Sequence, residues 1–403
     1  MRKIWFDEIC KVVIGIGLGL LLGSLLVGCH ANIASQPSPT DAASFALPDT
    51  PSAPTSNSPI LPALPSTTLT PCVTVLATEP GEAKPSGILF VKWVNAPYWK
   101  RIDLETGEER VAGAKSKAVS PDGQWGAYMK DASVLAVKSL NGDGAEYEVS
   151  LTEETRTFEE AQQRISWVND ATLQIQLFER GEGGTRDRFV LVSPFRGETE
   201  IIELDDPKML TIDEVGSIVA ISPNLRELAY IASEDSGSAF QLVLWDRESQ
   251  KALAIIPQST PFQEIHWAPD GQRLAYLRWG GTGEEIVILD GKGKEWNAIE
   301  VAGGIDLITW SPDGKKLAFT YSNENDQLQL AVWKLETGEL ILPCVSILEA
   351  PILAWSPDSD YLAIAGMTKR GIRSEKYETF VWDLQKNRAI KWFDGQIGQL
   401  DWR

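Results

Sequence analysis

The sequence predicts an all-β fold, a seven-bladed β-propeller of four-stranded antiparallel blades, and three observations predict it. A hairpin pattern recurs at intervals of about 45 residues, a second turn recurs inside each interval, and the two ends of the repeat region complete one another. The clearest copy of the hairpin is Ile308-Thr309-Trp310-Ser311-Pro312-Asp313-Gly314-Lys315-Lys316-Leu317-Ala318-Phe319. Ile308 and Trp310 sit two apart on one strand face, a tight turn follows, and the apolar run from Leu317 to Tyr321 reads as the next strand. In the turn, Pro312 presets φ, Ser311 and Asp313 can bond nearby backbone N–H groups, and Gly314 accepts a positive φ.

Further copies are HWAPDGQRLAYL from His266, AWSPDSDYLAIA from Ala354, AISPNLRELAYI from Ala220 and AVSPDGQWGAYM from Ala118. Their prolines, Pro121, Pro223, Pro269, Pro312 and Pro357, leave one interval doubled, so a degenerate copy is expected near position 170. SWVNDATLQIQL supplies it, with Trp167 matching Trp310 and Asp170 matching Asp313. A turn follows each third strand, as at Leu335 to Glu339, Leu289 to Lys294 and Leu140 to Gly144. The chain ends on Gly398 to Arg403, a first strand with nothing after it. Gly87 to Trp93, Tyr98 to Leu104 and the turn Leu104 to Glu108 read as a blade that lacks its first strand. Joining the two gives seven blades and a ring with no open sheet edge, the C-terminal strand completing the N-terminal blade. Leu204 to Gly216 is then a long loop between blades.

Three regions follow: residues 1–28 as a lipoprotein signal peptide, 29–85 as a disordered Pro/Ser/Thr-rich tether, and 86–403 as the propeller. Arg2, Lys3 and Lys11, with Asp7 and Glu8 between them, lead into an apolar run from Val12 to Val27. That run is shorter than the roughly 20 residues a bilayer span needs and fits an export signal. Leu26-Val27-Gly28-Cys29 resembles the lipobox of bacterial lipoproteins, which implies that Cys29 is lipidated and becomes the new N-terminus. His30 stands where that family's inner-membrane retention signal has Asp. The tether holds nearly half of the chain's 23 prolines and no Lys or Arg before Lys84, so it buries too little apolar surface to fold. Its reach lies between about 40 Å as a flexible coil and about 170 Å as an extended polyproline chain. The expected location is the bacterial cell envelope, outside the cytoplasm, in the periplasm or on the cell surface.

A formal charge of −19 argues against nucleic acid as a partner, since phosphate binding needs clustered Lys and Arg. Anionic lipid also repels such a body, so acyl chains must carry the membrane attachment. Of the 4 cysteines, Cys10 leaves with the signal and Cys29 is lipidated. Cys72 and Cys344 stand in similar settings, PCVTVL and PCVSIL; a disulfide between them would clip the tether to the sixth or seventh blade, and two isolated thiols is the alternative.

The unit W-S-P-D-G, then L-A-F, an aromatic strand and a T-G-E turn, resembles that of the TolB-type, WD-repeat-like propellers over Gly87 to Arg403. The resemblance implies the fold and leaves the activity open, because such propellers serve as peptidoglycan-associated translocation factors, accessory domains of peptidases, lyases and scaffolds. TolB itself carries a folded α/β domain before its propeller and is not lipidated; here a tether and a lipobox take that place. The G-x-S-x-G elbow of propeller-bearing peptidases is not found.

Beyond the signal, histidine occurs only at His30 and His266, so acid–base, metal and triad chemistry have little to work with. No catalytic residue, metal or cofactor is expected, no calcium loop of the D-x-D-x-D-G kind is present, and Asp205 with Asp206 reads as a solvated loop pair. His266 occupies a first-strand position taken elsewhere by Ala118, Ser166, Ala220, Thr309, Ala354 and Asp401. Either this face packs tightly and His266 is a bonded interior imidazole, or His266 and Asp401 face a common channel and bind a ligand there. Long connections are expected at Leu151–Arg164, Glu179–Arg188, Leu204–Gly216, Arg278–Glu285 and Met367–Tyr377, all on the face opposite the Ser-Pro-Asp-Gly turns. Arg180, Arg186, Arg188, Lys369, Arg370 and Arg373 gather positive charge there, and Trp279 offers an aromatic anchor. Trp167, Trp267, Trp310, Trp355 and Trp402 read as core between blades. The expected function is that of a monomeric, lipid-anchored binding or scaffold protein whose loop-rich face binds a protein, peptide or cell-wall component. An envelope polysaccharide lyase or hydrolase working in the central channel is the alternative, and a solute-binding lipoprotein fits least.

Overall fold

The recurring turns are held by the groups that the sequence supplies. The Ser311 hydroxyl donates to Asp313 Oδ1 at 2.5 Å and accepts the Lys316 N–H at 2.9 Å, while Asp313 Oδ1 accepts the Lys315 N–H at 2.9 Å. Ser120 with Asp122, Ser222 with Asn224 and Ser356 with Asp358 repeat the arrangement. All four serines are fully buried, so each hydroxyl satisfies a backbone donor that water cannot reach. The turn residue after the Asp or Asn takes a left-handed φ, 70° at Gly123, 66° at Gly271 and 65° at Gly314. Leu225 and Ser359 adopt the same conformation at 64° and 63° without being glycine, at a cost of about 1–2 kcal/mol each.

The computed structural model describes residues 85–403 apart from 113–115, 152–163, 182–183, 203–218, 234–239, 259–263, 281–282, 302, 324–326, 344, 346 and 372–374. Its strands form seven four-stranded antiparallel sheets, the blades of a propeller. Blade 1 contains β1 (Ile88–Trp93), β2 (Trp99–Asp103) and β3 (Glu109–Ala112), and blade 2 contains β4 (Ala118–Val119), β5 (Trp125–Asp131), β6 (Val134–Ser139) and β7 (Glu146–Ser150). Blade 3, the degenerate copy, is β8 (Arg164–Asn169), β9 (Thr172–Gly181), β10 (Gly184–Ser193) and β11 (Glu198–Ile202). Blade 4 is β12 (Val219–Ile221), β13 (Glu227–Ser233), β14 (Phe240–Asp246) and β15 (Lys251–Gln258). Blade 5 is β16 (Ile265–Trp267), β17 (Arg273–Trp279), β18 (Glu284–Asp290) and β19 (Glu295–Val301). Blade 6 is β20 (Ile305–Trp310), β21 (Lys316–Ser322), β22 (Leu328–Lys334) and β23 (Leu340–Ile341). Blade 7 is β24 (Glu349–Trp355), β25 (Tyr361–Arg370), β26 (Glu375–Asp383) and β27 (Arg388–Asp394). The last strand, β28 (Ile397–Trp402), joins blade 1 by pairing with β1, Phe90 opposite Asp401 and Val91 opposite Leu400.

Two of the expected loops are largely strand, and a third is strand at its two ends. The segment Glu179–Arg188 belongs to a long ribbon in which β9 and β10 pair out to Gly181 opposite Gly184. Likewise β25 and β26 pair out to Arg370 opposite Glu375 within Met367–Tyr377, and β17 and β18 to Trp279 opposite Glu284 within Arg278–Glu285. Their place between second and third strands suggested loops, but a two-stranded ribbon satisfies its backbone internally and extends the same connection as strand. Leu204–Gly216 lies outside the described residues, as does Leu151–Arg164 between its two end residues.

The core is distributed between blades. Each apolar cluster is shared by neighbours, as where Ile288 and Ile299 of blade 5 meet Phe319 and Trp333 of blade 6, or Leu89 and Val91 of blade 1 meet Ala363 and Val381 of blade 7. A polar bond reinforces these layers. The indole N–H of Trp267 donates to the Ala220 carbonyl at 3.0 Å, that of Trp310 to His266 at 3.1 Å, and that of Trp355 to Thr309 at 3.2 Å. Each inner-strand tryptophan thus clamps its blade to the inner strand of the preceding one, and the acceptor is the residue just before the preceding blade's equivalent position. Trp402 donates instead to the Ser86 carbonyl at 2.9 Å, while the buried Trp167 Nε1 has no partner among the described residues. Replacing Trp310 by Phe keeps most of the buried ring and removes its hydrogen bond to the His266 carbonyl, so the expected loss is about 1 kcal/mol. Trp167→Phe has no such bond to lose and is expected to shift a urea-unfolding midpoint by clearly less than Trp310→Phe.

Candidate functional site

The face opposite the Ser-Pro-Asp-Gly turns carries the strand-extended hairpins of blades 3 and 7 and the shorter hairpin of blade 5, and ion-pair networks pin the bases in blades 5 and 7. In blade 7, Glu378 accepts from the Thr368 hydroxyl at 2.5 Å, Lys376 at 2.6 Å and Lys391 at 2.8 Å, and Lys391 also reaches Asp394 at 2.7 Å. Burial alone would raise the Glu378 pKa, but its three donors hold it down at about 2. In blade 5, Arg278 meets Glu285 at 2.6 Å, Glu295 at 3.3 Å and the Tyr276 hydroxyl at 3.2 Å. Burial pushes the Tyr276 phenol up to about 12, and Arg278 is kept charged, above its ordinary value, by Tyr276 and the two glutamates against the opposing effect of burial. Nearby, Glu284 accepts the Ile305 N–H at 2.5 Å and Glu300 accepts that of Gly283 at 3.2 Å. Beyond this pinned base Trp279 projects with 53% of its surface exposed.

Arg180, Arg186 and Arg188 lie on the blade 3 ribbon and Arg370 near the tip of the blade 7 hairpin. The topology therefore brings the cationic positions and Trp279 to one end of the ring, on three separate blades. Arg373 lies outside the described residues, as do Cys29, Cys72 and Cys344. Among the described residues, no three His, Cys, Asp or Glu side chains come together in a way that could hold a metal ion.

The ring's centre is the second candidate. A pocket of about 420 Å³ opens there between the inner strands of blades 1, 2, 3 and 7, with Lys117, Ser166, Trp167, Gln399, Asp401 and Arg403 in its wall. Asp401 is held by Arg403 at 3.0 Å; burial pushes its carboxyl above the ordinary range, and Arg403 works in the opposite direction. His266 does not line this pocket. Its Nε2 lies 3.1 Å from Glu264 Oε2, and its backbone carbonyl serves the Trp310 clamp. The small residues at the equivalent positions have the same use, since the carbonyls of Ala220 and Thr309 are clamp acceptors. Side-chain chemistry gave no sign of this role; the signal was the tryptophan one residue on in the next repeat.

The Glu378 network makes a pH prediction. Its folded pKa lies below the unfolded value, so its contribution is present above the ordinary glutamate range and is lost as pH falls from about 4.5 towards about 2. Glu378→Gln is expected to cost about 1–2 kcal/mol at neutral pH, after allowance for solvent screening, and to flatten the stability profile across that window in urea titrations.

No family model matches the chain. A stretch of 87 residues, 21% of this chain, is 30% identical to the Tol-Pal system protein TolB of Alcanivorax borkumensis. It covers 20% of that protein, so the match spans about a fifth of the relative's length. Among solved structures, TolB from Acinetobacter baumannii is similar with a TM-score of 0.41 at 14% identity, over 77% of this chain and 81% of that one. A puromycin hydrolase is similar with a TM-score of 0.46 at 16% identity, over 77% of this chain and 53% of that one. At these scores the structural likenesses carry no argument about activity. The chain is a seven-bladed β-propeller closed by its last strand, with a local sequence likeness to TolB over 87 residues.

Proposed function

We propose that the chain is a lipid-anchored binding or scaffold protein of the bacterial cell envelope, whose hairpin-bearing face captures a protein, peptide or cell-wall component. The observation that carries this reading is the pair of strand-extended hairpins of blades 3 and 7 on one end of the ring, with Arg180, Arg186, Arg188 and Arg370 at cationic positions in a chain of charge −19. Trp279, half exposed beside a pinned base, is the aromatic anchor of that surface. The name of the Alcanivorax borkumensis relative refers to the Tol-Pal system, and this supports an assembly role in the envelope. The lipobox at Leu26 to Cys29 and the tether that follows support a location outside the cytoplasm, with the propeller held near a membrane.

The enzyme alternative has one observation in its favour, the grouping of Asp401 with Arg403 and Lys117 at the channel pocket. It lacks a histidine there, since His266 is engaged with Glu264.

Two experiments test the proposal. Cys29→Ser is expected to move the chain from the membrane fraction to the soluble fraction of cells; retention in the membrane would remove the lipid anchor from the reading. For the face, full-length chain and a variant with Arg180, Arg186, Arg188, Arg370 and Arg373 changed to Glu are cross-linked in envelope preparations. A specific adduct of the parent that drops about tenfold or more in the variant supports the binding face, by the usual weight of desolvated charge contacts. Equal adducts would transfer attention to the channel.

A further inference from the structure

Blade 1 departs from other blades at one position of its third strand. Its LETGE turn aligns with that of blade 6, and the Asp that opens the turn aligns it with blades 5 and 7, so Lys100 stands where they have Ala331, Val287 and Phe380. Those three side chains are buried, each in the apolar layer shared with the preceding blade. Lys100 instead has 33% of its side chain exposed and borders a pocket of about 460 Å³, with Trp93, Tyr98, Glu109 and Val111 also in its wall. Lys100 is opposite Val91 on one side and Val111 on the other, so the two-residue period puts all five wall residues on one sheet face. Their positions are fixed by contacts within the fold. Trp93 stands edge-on to Phe393 of blade 7 at 6.2 Å, and Lys100 Nζ lies 5.9 Å from the centre of the Trp93 ring while pairing with Glu109. Tyr98 and Val111 are 39% and 64% exposed, so a solute reaches them directly.

We infer that this pocket binds a saccharide built of pyranose rings, one ring lying against the aromatic surface of Trp93 and Tyr98 and its hydroxyls bonding Lys100 and Glu109. Charge argues against an ion as ligand. Lys100 and Glu109 cancel, and the remaining charged residue of the wall, Arg110, turns its guanidinium away to the Asn141 carbonyl at 3.0 Å. What the pocket offers is a donor beside an acceptor. An ammonium has three N–H groups and a carboxylate has several lone-pair sites, so each can bond again while the pair stays intact. Neighbouring sugar hydroxyls, which both donate and accept, complement such a pair. An aromatic face carries the negative side of the ring quadrupole, and the C–H side of a pyranose, polarised by its oxygens, presents the positive complement. A purely apolar ligand would cover the ion pair without bonding to it. The volume falls within the range of small-molecule sites, and an apolar wall with a few oriented polar groups is their usual make-up. The pocket lies beside the connection of β1 to β2, at the same end of the ring as the hairpins, but Arg180, Arg186, Arg188, Trp279 and Arg370 are not in its wall. Sugar binding here therefore goes beyond the proposed arginine-bearing surface and does not rest on it.

The test is saturation-transfer NMR on the full-length chain with the trimer of N-acetylglucosamine and maltotriose as probes. Sorbitol is the control, since it has the hydroxyls of a sugar without the ring face. At least one trisaccharide is expected to bind with a Kd below about 10 mM, and sorbitol about tenfold more weakly or not at all. The two probes tell an amino-sugar polymer from a plain glucan as the source of the ligand. Tyr98→Ala and Glu109→Ala, both at exposed positions, are each expected to weaken binding about three- to tenfold, the first by removing the stacking surface and the second an acceptor. The variant with the five arginines of the hairpin face reversed is expected to bind the trisaccharide as the parent does, so a failure of that surface and a failure of this pocket are read separately. Binding of sorbitol equal to that of the trisaccharides, an affinity unchanged by Tyr98→Ala and Glu109→Ala in variants that unfold at the parent's midpoint, or no binding of either trisaccharide would each overturn the inference.

Discussion

Everything in this molecule depends on the pairing of β28 with β1. It joins segments more than three hundred residues apart, and Trp402 Nε1 on the Ser86 carbonyl spans a separation of 316. Until that pairing forms, β1 is an open edge and two inter-blade layers lack one wall. The contact is dense: Ile88 N–H donates to the Arg403 carbonyl at 2.5 Å, Arg403 N–H returns to the Ile88 carbonyl at 2.8 Å, and Leu89, Phe90 and Val91 are fully buried. Gly87 makes the approach feasible. Its φ is 96°, and a Cβ there would lie 2.5 Å from the Arg403 carbonyl oxygen, so no larger residue fits where the chain enters blade 1. Closing so long a loop costs entropy that no local contact offsets, and the return comes only when both neighbouring layers are packed.

That constraint was legible in the sequence because each half of blade 1 carries a strong local signal. The orphan Gly398–Trp402 matches the strand ending at Trp310, and the fragment from Gly87 to Glu108 ends in a complete third-to-fourth turn. Turn chemistry is local, and its preference for Ser, Asp and Gly follows from hydrogen bonding and φ alone, so it survives reading without neighbours. The hairpins at Glu179–Arg188 and Met367–Tyr377 were misread for the opposite reason. No apolar alternation marks their sequences, and their charged residues look like loop until the pairing of Arg186 with Glu179, or Arg370 with Glu375, is seen.

The clamp and the channel pocket were less legible still. Trp167 and Trp310 are equivalent in sequence, and both were expected in the core. What separates them is whether a carbonyl of the preceding blade lies within reach, a property of blade-to-blade placement. The inner strand of blade 2 has only two residues in ladder geometry, Ala118 and Val119, compared with six in blade 6.

The two ends of the ring therefore do different work. At one end, four buried serine hydroxyls lock the turns and leave little freedom for rearrangement on binding. At the other, the hairpins rise from bases fixed by Glu378 with its lysines and by Arg278 with its glutamates. A surface made of loops must be ordered when a partner arrives, at about 0.5–1.5 kcal/mol for each immobilised flexible side chain besides the backbone cost. A surface made of paired strands has met the backbone part of that cost during folding. Under the proposed function, recognition on this face would be pre-organised by sheet pairing. Such a surface favours one partner of matching shape over many partners accommodated by loop movement.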